Sequence, residues 1–344
     1  MPQAIRLAIP FAVALTAACA GAPAKRAEVR WPAAPDPARI RFVRSISTGA
    51  DVETSGFQAF QRSLLGTRPV SFQQPSALAL TPDGQRLYVT DQTLGQVLWF
   101  DFKLGEAKAF APATGFSQPM GVALDGAGNV YVSEPPRRRV RVFSPEGQIL
   151  REFGGEAERP TGLAVDARRQ LVYLADSSFQ ASQNHRILVY SQQGKLLRTI
   201  GARGSAPGQF NFPAYLALDP QGNLYVSDVL NFRIQVFDPE GNLIRFFGEA
   251  GETIGTFARP KGVAVDRRGI TYVVDTDNAS VQLFDDKNRL LMYFGGRADL
   301  LEYFSQPGPI AIDQAGRLIY VGDQSVNFPR INVYEFLEAA EPAR

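Results

Sequence analysis

The sequence has few of the side chains on which much enzyme chemistry depends. Its 344 residues include one histidine (His185), one cysteine (Cys19) and three methionines. A single imidazole and a single thiol exclude His-rich zinc sites, zinc ribbons, disulfides within the chain and most His-assisted nucleophiles, because each needs a second such group or a partner. A large part of enzyme chemistry is therefore excluded before any motif is considered.

A surplus of charge of one sign is also missing. The 36 Lys and Arg residues are nearly balanced by 34 Asp and Glu residues, which leaves a formal net charge of +2. Proteins that bind nucleic acid through their overall field carry a clear basic excess, so we expect no nucleic-acid partner. What the chain does have is 31 glycines, 24 prolines and 45% apolar residues, a composition typical of a turn-rich globular protein.

The N-terminal segment has the plan of a signal peptide. One cation, Arg6, precedes an apolar run from Leu7 to Leu15, and small residues surround Cys19. The apolar run is too short to span a bilayer as a permanent helix. We therefore predict a signal peptide over residues 1–18, followed by an Ala- and Pro-rich tether over residues 19–39.

Cleavage before Cys19 would make this residue N-terminal and available for lipidation, and the segment resembles the lipobox of bacterial lipoproteins. Ala20 rather than Asp follows, which in Gram-negative lipoproteins resembles sorting to the outer membrane. The favoured interpretation is an exported lipoprotein that faces the periplasm and contacts the membrane through its lipid anchor. The alternative is cleavage after Ala20 or Ala22, which would release a soluble periplasmic or secreted protein.

Six related segments follow one another along the rest of the chain. Each begins near a proline, and together they read PSALALTPDGQRLYVTD from 75, PMGVALDGAGNVYVSE from 119, PTGLAVDARRQLVYLAD from 160, PAYLALDPQGNLYVSD from 213, PKGVAVDRRGITYVVD from 260 and PGPIAIDQAGRLIYVGD from 307. Each copy contains short runs of β-branched and aromatic residues separated by tight turns, which predicts one four-stranded antiparallel sheet per copy. Six such sheets predict an all-β fold, a six-bladed β-propeller over residues 40–337 with a C-terminal tail over 338–344.

The copies resemble the NHL repeat family, whose members are six-bladed propellers. The pattern PxGVAVDxxGNxYVxD followed by NxRIQVFD is nearly literal in the copy that begins at Pro213. Closure of the ring has independent support, because the sixth copy stops after its third strand, residues 331–334, whereas residues 40–46 alternate like a fourth strand. The N-terminal strand is therefore predicted to complete the last blade and to remove an open edge.

Strand direction separates two faces of such a ring. The turn face carries the tight turns between the first and second and between the third and fourth strands of each blade. The variable face carries the loops between the second and third strands and the blade-to-blade connections. A short amphipathic helix is predicted over residues 56–65, resting on the variable face. The candidate binding residues on this face are Arg137, Arg138, Phe179, His185, Asn231, Phe232, Asn327 and Phe328.

An acidic residue ends the second strand of every copy: Asp91, Glu134, Asp176, Asp228, Asp275 and Asp323. Four of them are followed by an arginine at the start of the third strand, which predicts the ion pairs Glu134–Arg139, Asp176–Arg186, Asp228–Arg233 and Asp323–Arg330. The other two, with the neighbouring oxygen-rich residues of the fifth copy, are the candidates for a metal site: Asp91, Asp275, Asp277 and Asn278. Resemblance to the calcium-dependent lactonase propellers implies Ca²⁺ as that metal.

Two functions of different classes remain open. The favoured one is a non-enzymatic module without cofactor or catalytic residues, which binds an envelope protein or an anionic ligand on the variable face. The basic run of residues 135–141 favours an anionic partner. The alternative is a metal-dependent, lactonase-like hydrolase with its site at the channel mouth, centred on Asp91 and Asp275.

Overall fold

The structure, a computed structural model, describes residues 29–33, 35–178, 182, 184–297, 302–313 and 315–337. The predicted signal peptide, Cys19, Phe179 and the tail after residue 337 lie outside the described residues. Within the described ranges, no helix is long and apolar enough to span a membrane.

Six antiparallel sheets form the predicted ring. The described strands, in chain order, are β1 (Arg30–Trp31) and β2 (Ile40–Ile46); β3 (Pro75–Leu80), β4 (Arg86–Asp91), β5 (Gln96–Asp101) and β6 (Glu106–Ala109) in blade 1; β7 (Val122–Leu124), β8 (Val130–Glu134), β9 (Arg139–Phe143) and β10 (Ile149–Phe153) in blade 2; β11 (Pro160–Asp166), β12 (Leu171–Ser177), β13 (His185–Ser191) and β14 (Leu196–Ile200) in blade 3; β15 (Pro213–Leu218), β16 (Leu224–Asp228), β17 (Arg233–Phe237) and β18 (Leu243–Phe247) in blade 4; β19 (Pro260–Val265), β20 (Thr271–Asp275), β21 (Ser280–Phe284) and β22 (Leu290–Gly295) in blade 5; and β23 (Pro307–Ile312), β24 (Leu318–Asp323) and β25 (Arg330–Phe336) in blade 6. Helix α1 spans Gly56–Leu65, and short 3-10 turns lie at Gly49–Val52, Pro112–Thr114, Pro135–Arg137 and Val229–Asn231.

The N-terminal strand closes the ring as predicted. β2 pairs antiparallel with β25, with Ile46 opposite Ile331 and Phe42 opposite Tyr334. The short strand β1 was not predicted; it pairs outside β2 and gives blade 6 a fifth strand. The Trp31 ring in β1 packs edge-on against the Tyr334 ring, 5.7 Å between centroids, so the added strand also covers part of the core.

The apolar core lies between neighbouring blades. Each cluster of buried side chains combines residues of two adjacent blades, and five of the six clusters contain a phenylalanine from the connection into the second blade: Phe72, Phe110, Phe210, Phe257 and Phe304. Ala157 takes this position between blades 2 and 3. Full burial of a phenylalanine side chain stabilises a fold by about 1.5–3 kcal/mol. These rings therefore act as wedges that join the blades.

The first strands of the blades surround a narrow central channel. A cavity of about 70 Å³ in the channel is lined by residues from all six of these strands. A side-chain carbon at Gly262 would lie 2.5 Å from the carbonyl oxygen of Gly308 in the next blade, so glycine is required at this close approach. The channel holds no more than a few water molecules, and a larger ligand must therefore bind at one of its mouths.

Six side-chain hydrogen bonds join the blades at the variable-face end of the channel. In each blade a side chain within one residue of the end of the second strand donates to a backbone carbonyl at the start of the next blade: Thr90 to Met120, Ser133 to Thr161, Ser177 to Pro213, Ser227 to Lys261, Thr276 to Pro307 and Gln324 to Pro75. The bond from Gln324 closes the ring between the last and first blades.

The predicted helix forms over residues 56–65, but its predicted position on the variable face is wrong. Gln58 donates to the carbonyl oxygens of Leu104 and Gly105, at 2.9 and 3.1 Å, in the turn between β5 and β6. This turn belongs to the turn face. The reason is that residues 47–55 run down the outer edge of blade 1 and place α1 at its far end, with Gly49 against Val70 and Ala107.

Candidate functional site

The six acidic residues that end the second strands are fully buried and have a structural role. Each carboxylate accepts hydrogen bonds from backbone N–H groups of the connection that enters its own blade. Asp176, for example, accepts from Glu158 and Arg159 at 3.0 and 2.9 Å. The corresponding donors are Gln73 and Gln74 for Asp91, Ser117 for Glu134, Asn211 for Asp228, Ala258 and Arg259 for Asp275, and Ser305 and Gln306 for Asp323.

The four predicted ion pairs are confirmed. The nitrogen–oxygen distances are 2.9 Å for Arg139–Glu134, 3.3 Å for Arg186–Asp176, 2.9 Å for Arg233–Asp228 and 3.2 Å for Arg330–Asp323. A buried carboxylate is costly unless it is paired and hydrogen-bonded, which accounts for the arginine that starts the next strand. In blade 2 the carboxylate also pairs with Arg141, which is itself almost fully buried.

Asp91, a candidate metal ligand, has its carboxylate occupied by backbone N–H groups. Its Oδ1 accepts the N–H groups of Thr93 and Leu94, and its Oδ2 accepts those of Gln73 and Gln74, over distances of 2.6–3.1 Å. A carboxylate offers about four lone-pair sites, so these four donors occupy them. Asp91 therefore has little capacity left for a cation.

The cluster around Asp275 does not fit a metal ion either. Asp275 accepts from the N–H groups of Ala258 and Arg259 and from the side-chain amide of Asn278, at 2.7–2.9 Å. Asp277 points to Arg259, 3.2 Å away. Within the described ranges, no three His, Cys, Asp or Glu side chains are grouped closely enough to hold a metal. A hard cation needs six or more oxygen ligands, and these residues do not supply them.

His185 was predicted to contribute to the binding face from a loop, and the structure shows instead a buried residue at the start of β13. Its Nδ1 accepts the N–H of Phe212 at 3.1 Å, and its Nε2 lies 3.0 Å from the carbonyl oxygen of Ser178. The reason is that β12 and β13 pair as far as Ser177 opposite His185, which draws the histidine out of the loop. Both ring nitrogens are engaged within the fold.

The other described binding-face candidates lie on the variable face, on three separate blades. Arg137 and Arg138 are exposed in the turn after β8, and Arg138 donates to the carbonyl oxygen of Ala157 at 3.0 Å. Phe328 is also exposed, as is Asn327, in the loop before β25.

Asn231 and Phe232, in the turn after β16, are half-buried, and Asn231 donates to the carbonyl oxygen of Gly204 and to Asp228. These pairs belong to blades 2, 4 and 6. Because an intervening blade separates each pair from the next, the candidates do not form one cluster.

A different group of residues lies at the variable-face end of the channel, and it was not predicted from the sequence. Arg159 immediately precedes β11, Tyr215 lies in β15 and Lys261 in β19, so consecutive blades 3, 4 and 5 contribute one residue each. Tyr215 lines the channel. The Arg159 guanidinium lies over the Phe212 ring, 5.4 Å from its centroid.

Arg159 and Lys261 belong to the two blades that flank the blade of Tyr215. The Lys261 ammonium group donates to Gln324 at 2.8 Å. The Arg159 guanidinium lies 3.6 Å from the sulfur of Met120, which also lines the channel. The signal for this group was present in the aligned copies, because Tyr215 stands two residues after the repeat proline, where three other copies have glycine.

The electrostatics of this group favour an anion. Among the described residues, no carboxylate lies within ion-pair distance of Arg159 or Lys261. Burial lowers the pKa of Arg159. Burial, helped by the charge of Arg259 and opposed by that of Asp277, lowers the pKa of Lys261 to about 8. Burial raises the pKa of Tyr215 to about 12, although the Arg159 charge acts in the opposite direction. Partly desolvated cations without counter-charges are stabilised by a bound anion.

The comparisons with known proteins agree with the architecture. Residues 68–174 match the SMP-30/Gluconolactonase/LRE-like region, and residues 210–237 match the NHL repeat. Together with the six four-stranded sheets, these matches define the class of the protein as a β-propeller of six blades. The chain is an NHL-type six-bladed β-propeller.

Several solved structures share this fold. A gluconolactonase from Xanthomonas campestris is 18% identical with a TM-score of 0.59, over 77% of this chain and 87% of that one. Virginiamycin B lyase from Staphylococcus aureus is 12% identical with a TM-score of 0.55, over 77% and 96%. Hydrazine synthase from Kuenenia stuttgartiensis is 17% identical with a TM-score of 0.57, over 78% of each chain. No curated protein matches the sequence significantly. At these identities the likeness concerns the fold alone.

Proposed function

We propose that this propeller is a non-enzymatic binding module that takes an anionic ligand at the channel mouth on its variable face. The observation that supports the proposal is the position of Arg159, Tyr215 and Lys261, a guanidinium, a phenol and an ammonium group, on three consecutive blades at this end of the channel, without a paired carboxylate in the described part of the chain. Arginine binds carboxylate and phosphate groups through paired hydrogen bonds, and lysine adds a compact charge. The ligand class is therefore a small carboxylate or phosphate, or an acidic group of a larger envelope molecule.

The donor set at the mouth suits binding better than hydrolysis. Activation of a water molecule requires a base or a metal ion. The residues that line the channel include no carboxylate among those described, and His185 is engaged by Phe212 and Ser178. What the site offers is three hydrogen-bond donors, which recognise negative charge.

Titration of the purified protein with inorganic phosphate and with succinate, followed by calorimetry, tests the proposal. We expect saturable binding that weakens about 10- to 100-fold in Arg159→Ala and in Lys261→Ala, since a hydrogen bond to a charged group contributes about 1.5–3 kcal/mol. Arg137→Ala, which removes an exposed arginine from the same face, is the matched control and should bind normally. Absence of binding to either anion, or an equal loss in the control, would refute the proposal.

A lactonase-like hydrolase is the second candidate, because residues 68–174 match a family that includes gluconolactonases. Its assay is hydrolysis of gluconolactone with and without Ca²⁺, with metal analysis of the purified protein. A bound divalent metal, together with loss of hydrolysis in Asp275→Ala, would overturn the binding proposal.

We also propose that the protein is exported and anchored by a lipid at Cys19. The position of the single cysteine after the apolar N-terminal run supports this proposal. Cys19→Ser should move the protein from the membrane fraction to the soluble periplasmic fraction and remove the mass of the acyl groups. If the variant stays in the membrane fraction with an unchanged lipid mass, the anchor is not at Cys19.

A further inference from the structure

Helix α1 is attached to the propeller through its polar side. Gln58 donates to the carbonyl oxygens of Leu104 and Gly105, and Arg62 pairs with Glu53. Gln58 and Arg62 are four residues apart and therefore share one side of the helix. They are also among its least exposed residues, so this is the side that faces the protein.

The opposite side of α1 is apolar and exposed. Phe57, Phe60 and Leu64 recur at helical spacing and are 64%, 61% and 72% exposed. Leu65 at the end of the helix and Leu104 in the adjacent turn between β5 and β6 are exposed as well. An amphipathic helix of a globular domain normally buries its apolar side. In α1 the polar side faces the protein and the apolar side faces outward, the reverse of this arrangement.

Residues at the two ends of α1 stabilise the helix without a partner on its apolar side. Ser55 and Gln58 form a capping box at its start, and Gly66 in the left-handed conformation ends it. The apolar side is therefore presented on a locally stabilised element rather than on an irregular loop.

The charge around the patch is positive. Arg68 and Lys103 are exposed next to α1, and neither has an ion pair in the described part of the chain. The acidic residues nearby, Glu53 and Glu106, are each paired with a basic side chain. Aromatic and leucine side chains flanked by unpaired cations match the boundary between acyl chains and anionic headgroups.

We propose that α1 lies in the interface of an anionic bilayer, with Phe57, Phe60 and Leu64 inserted among the acyl chains and Arg68 and Lys103 on the headgroups. The proposal rests on the helix and is independent of both the lipid at Cys19 and the anion site. Because α1 lies at the turn face, a membrane bound there leaves the variable face and the channel mouth pointing away from the lipid.

Co-sedimentation with vesicles tests this proposal in the full-length Cys19→Ser protein, in which a lipid anchor cannot contribute. We expect binding to vesicles that contain phosphatidylglycerol and little binding to vesicles of phosphatidylcholine alone. The double variant Phe57→Gln and Phe60→Gln should bind about 100-fold more weakly, since two large apolar side chains no longer enter the bilayer. Both side chains are exposed, so the melting temperature should not change, and this is measured alongside.

Phe328→Gln is the matched control, since Phe328 is 66% exposed but lies on the variable face. It should bind vesicles normally. The proposal fails if wild type does not bind anionic vesicles, or if the control and the double variant lose binding equally. It also fails if the wild-type protein is a dimer by light scattering and the double variant is a monomer, because the patch would then be covered by a second copy.

Discussion

Replacement of Asp275 by alanine distinguishes a structural carboxylate from a metal ligand. The side chain is fully buried, and it accepts hydrogen bonds from two backbone N–H groups, of Ala258 and Arg259, and from the Asn278 amide. Alanine would leave all three donors without their acceptor. If the carboxylate serves the fold, the variant loses stability whether or not a divalent cation is present.

The size of the loss follows from the three bonds. At about 1 kcal/mol of net stabilisation for each, the free energy of unfolding falls by about 3 kcal/mol. For a chain of this size, about 2 °C of melting temperature corresponds to 1 kcal/mol, so we expect a decrease of about 6 °C. Differential scanning calorimetry in the presence of EDTA and of Ca²⁺ measures both quantities.

Asp277→Ala is the matched control. Asp277 lies two residues away, has a side chain that is 44% exposed and pairs with an exposed arginine. Its replacement should change the free energy of unfolding by less than about 0.5 kcal/mol. The structural interpretation is refuted if Ca²⁺ raises the melting temperature of wild type, and Asp275→Ala abolishes that rise while it leaves the melting temperature in EDTA unchanged.

Three further predictions concern the ring and the channel mouth. Gly262→Ala should destabilise the fold by about 1–3 kcal/mol, because a side-chain carbon would lie 2.5 Å from a carbonyl oxygen of the next blade. Gly155 has open space around it, so Gly155→Ala should not change the melting temperature. Equal destabilisation by the two substitutions would contradict the close packing at Gly262. Affinity for succinate should fall as the pH rises from 7 to 9, because the Lys261 ammonium, with its pKa lowered to about 8, loses its proton. In Lys261→Arg the affinity measured by calorimetry should change little over this pH range. If the wild-type affinity is also independent of pH, Lys261 does not belong to the site. Removal of residues 1–46 should expose the edge of the last blade and cause aggregation, which size-exclusion chromatography detects, whereas removal of residues 1–28 should not. If the protein that lacks residues 1–46 is monomeric, closure of the ring by β2 is dispensable.

Much of the architecture could be predicted from the sequence because it repeats. Six copies of one pattern predict six blades, and the missing fourth strand of the last copy predicts the partnership of residues 40–46 with β25. The four ion pairs could also be predicted, since an acid at the end of one strand and an arginine at the start of the next must be neighbours in a hairpin. Both inferences depend on local spacing and on little else.

The predictions that were wrong depend on contacts between distant segments. His185 looked like a loop residue because the lengths of β12 and β13 cannot be read from their composition. The position of α1 is set by hydrogen bonds from Gln58 to residues 104 and 105, which are 46 and 47 residues away in sequence. The channel-mouth cations could not be predicted from the repeat, because Arg159 and Lys261 stand at positions where the copies differ from one another.

The six buried carboxylates have a consequence for how this surface can be changed. Each fixes the end of an incoming connection to its own blade, immediately before the repeat proline, so the short connection 154–159 and the long connection 47–74 finish in the same way. A connection can therefore differ in length without a change in the geometry of the ring. Foreign segments could be grafted between these fixed ends one connection at a time, which makes the propeller a scaffold for engineered recognition.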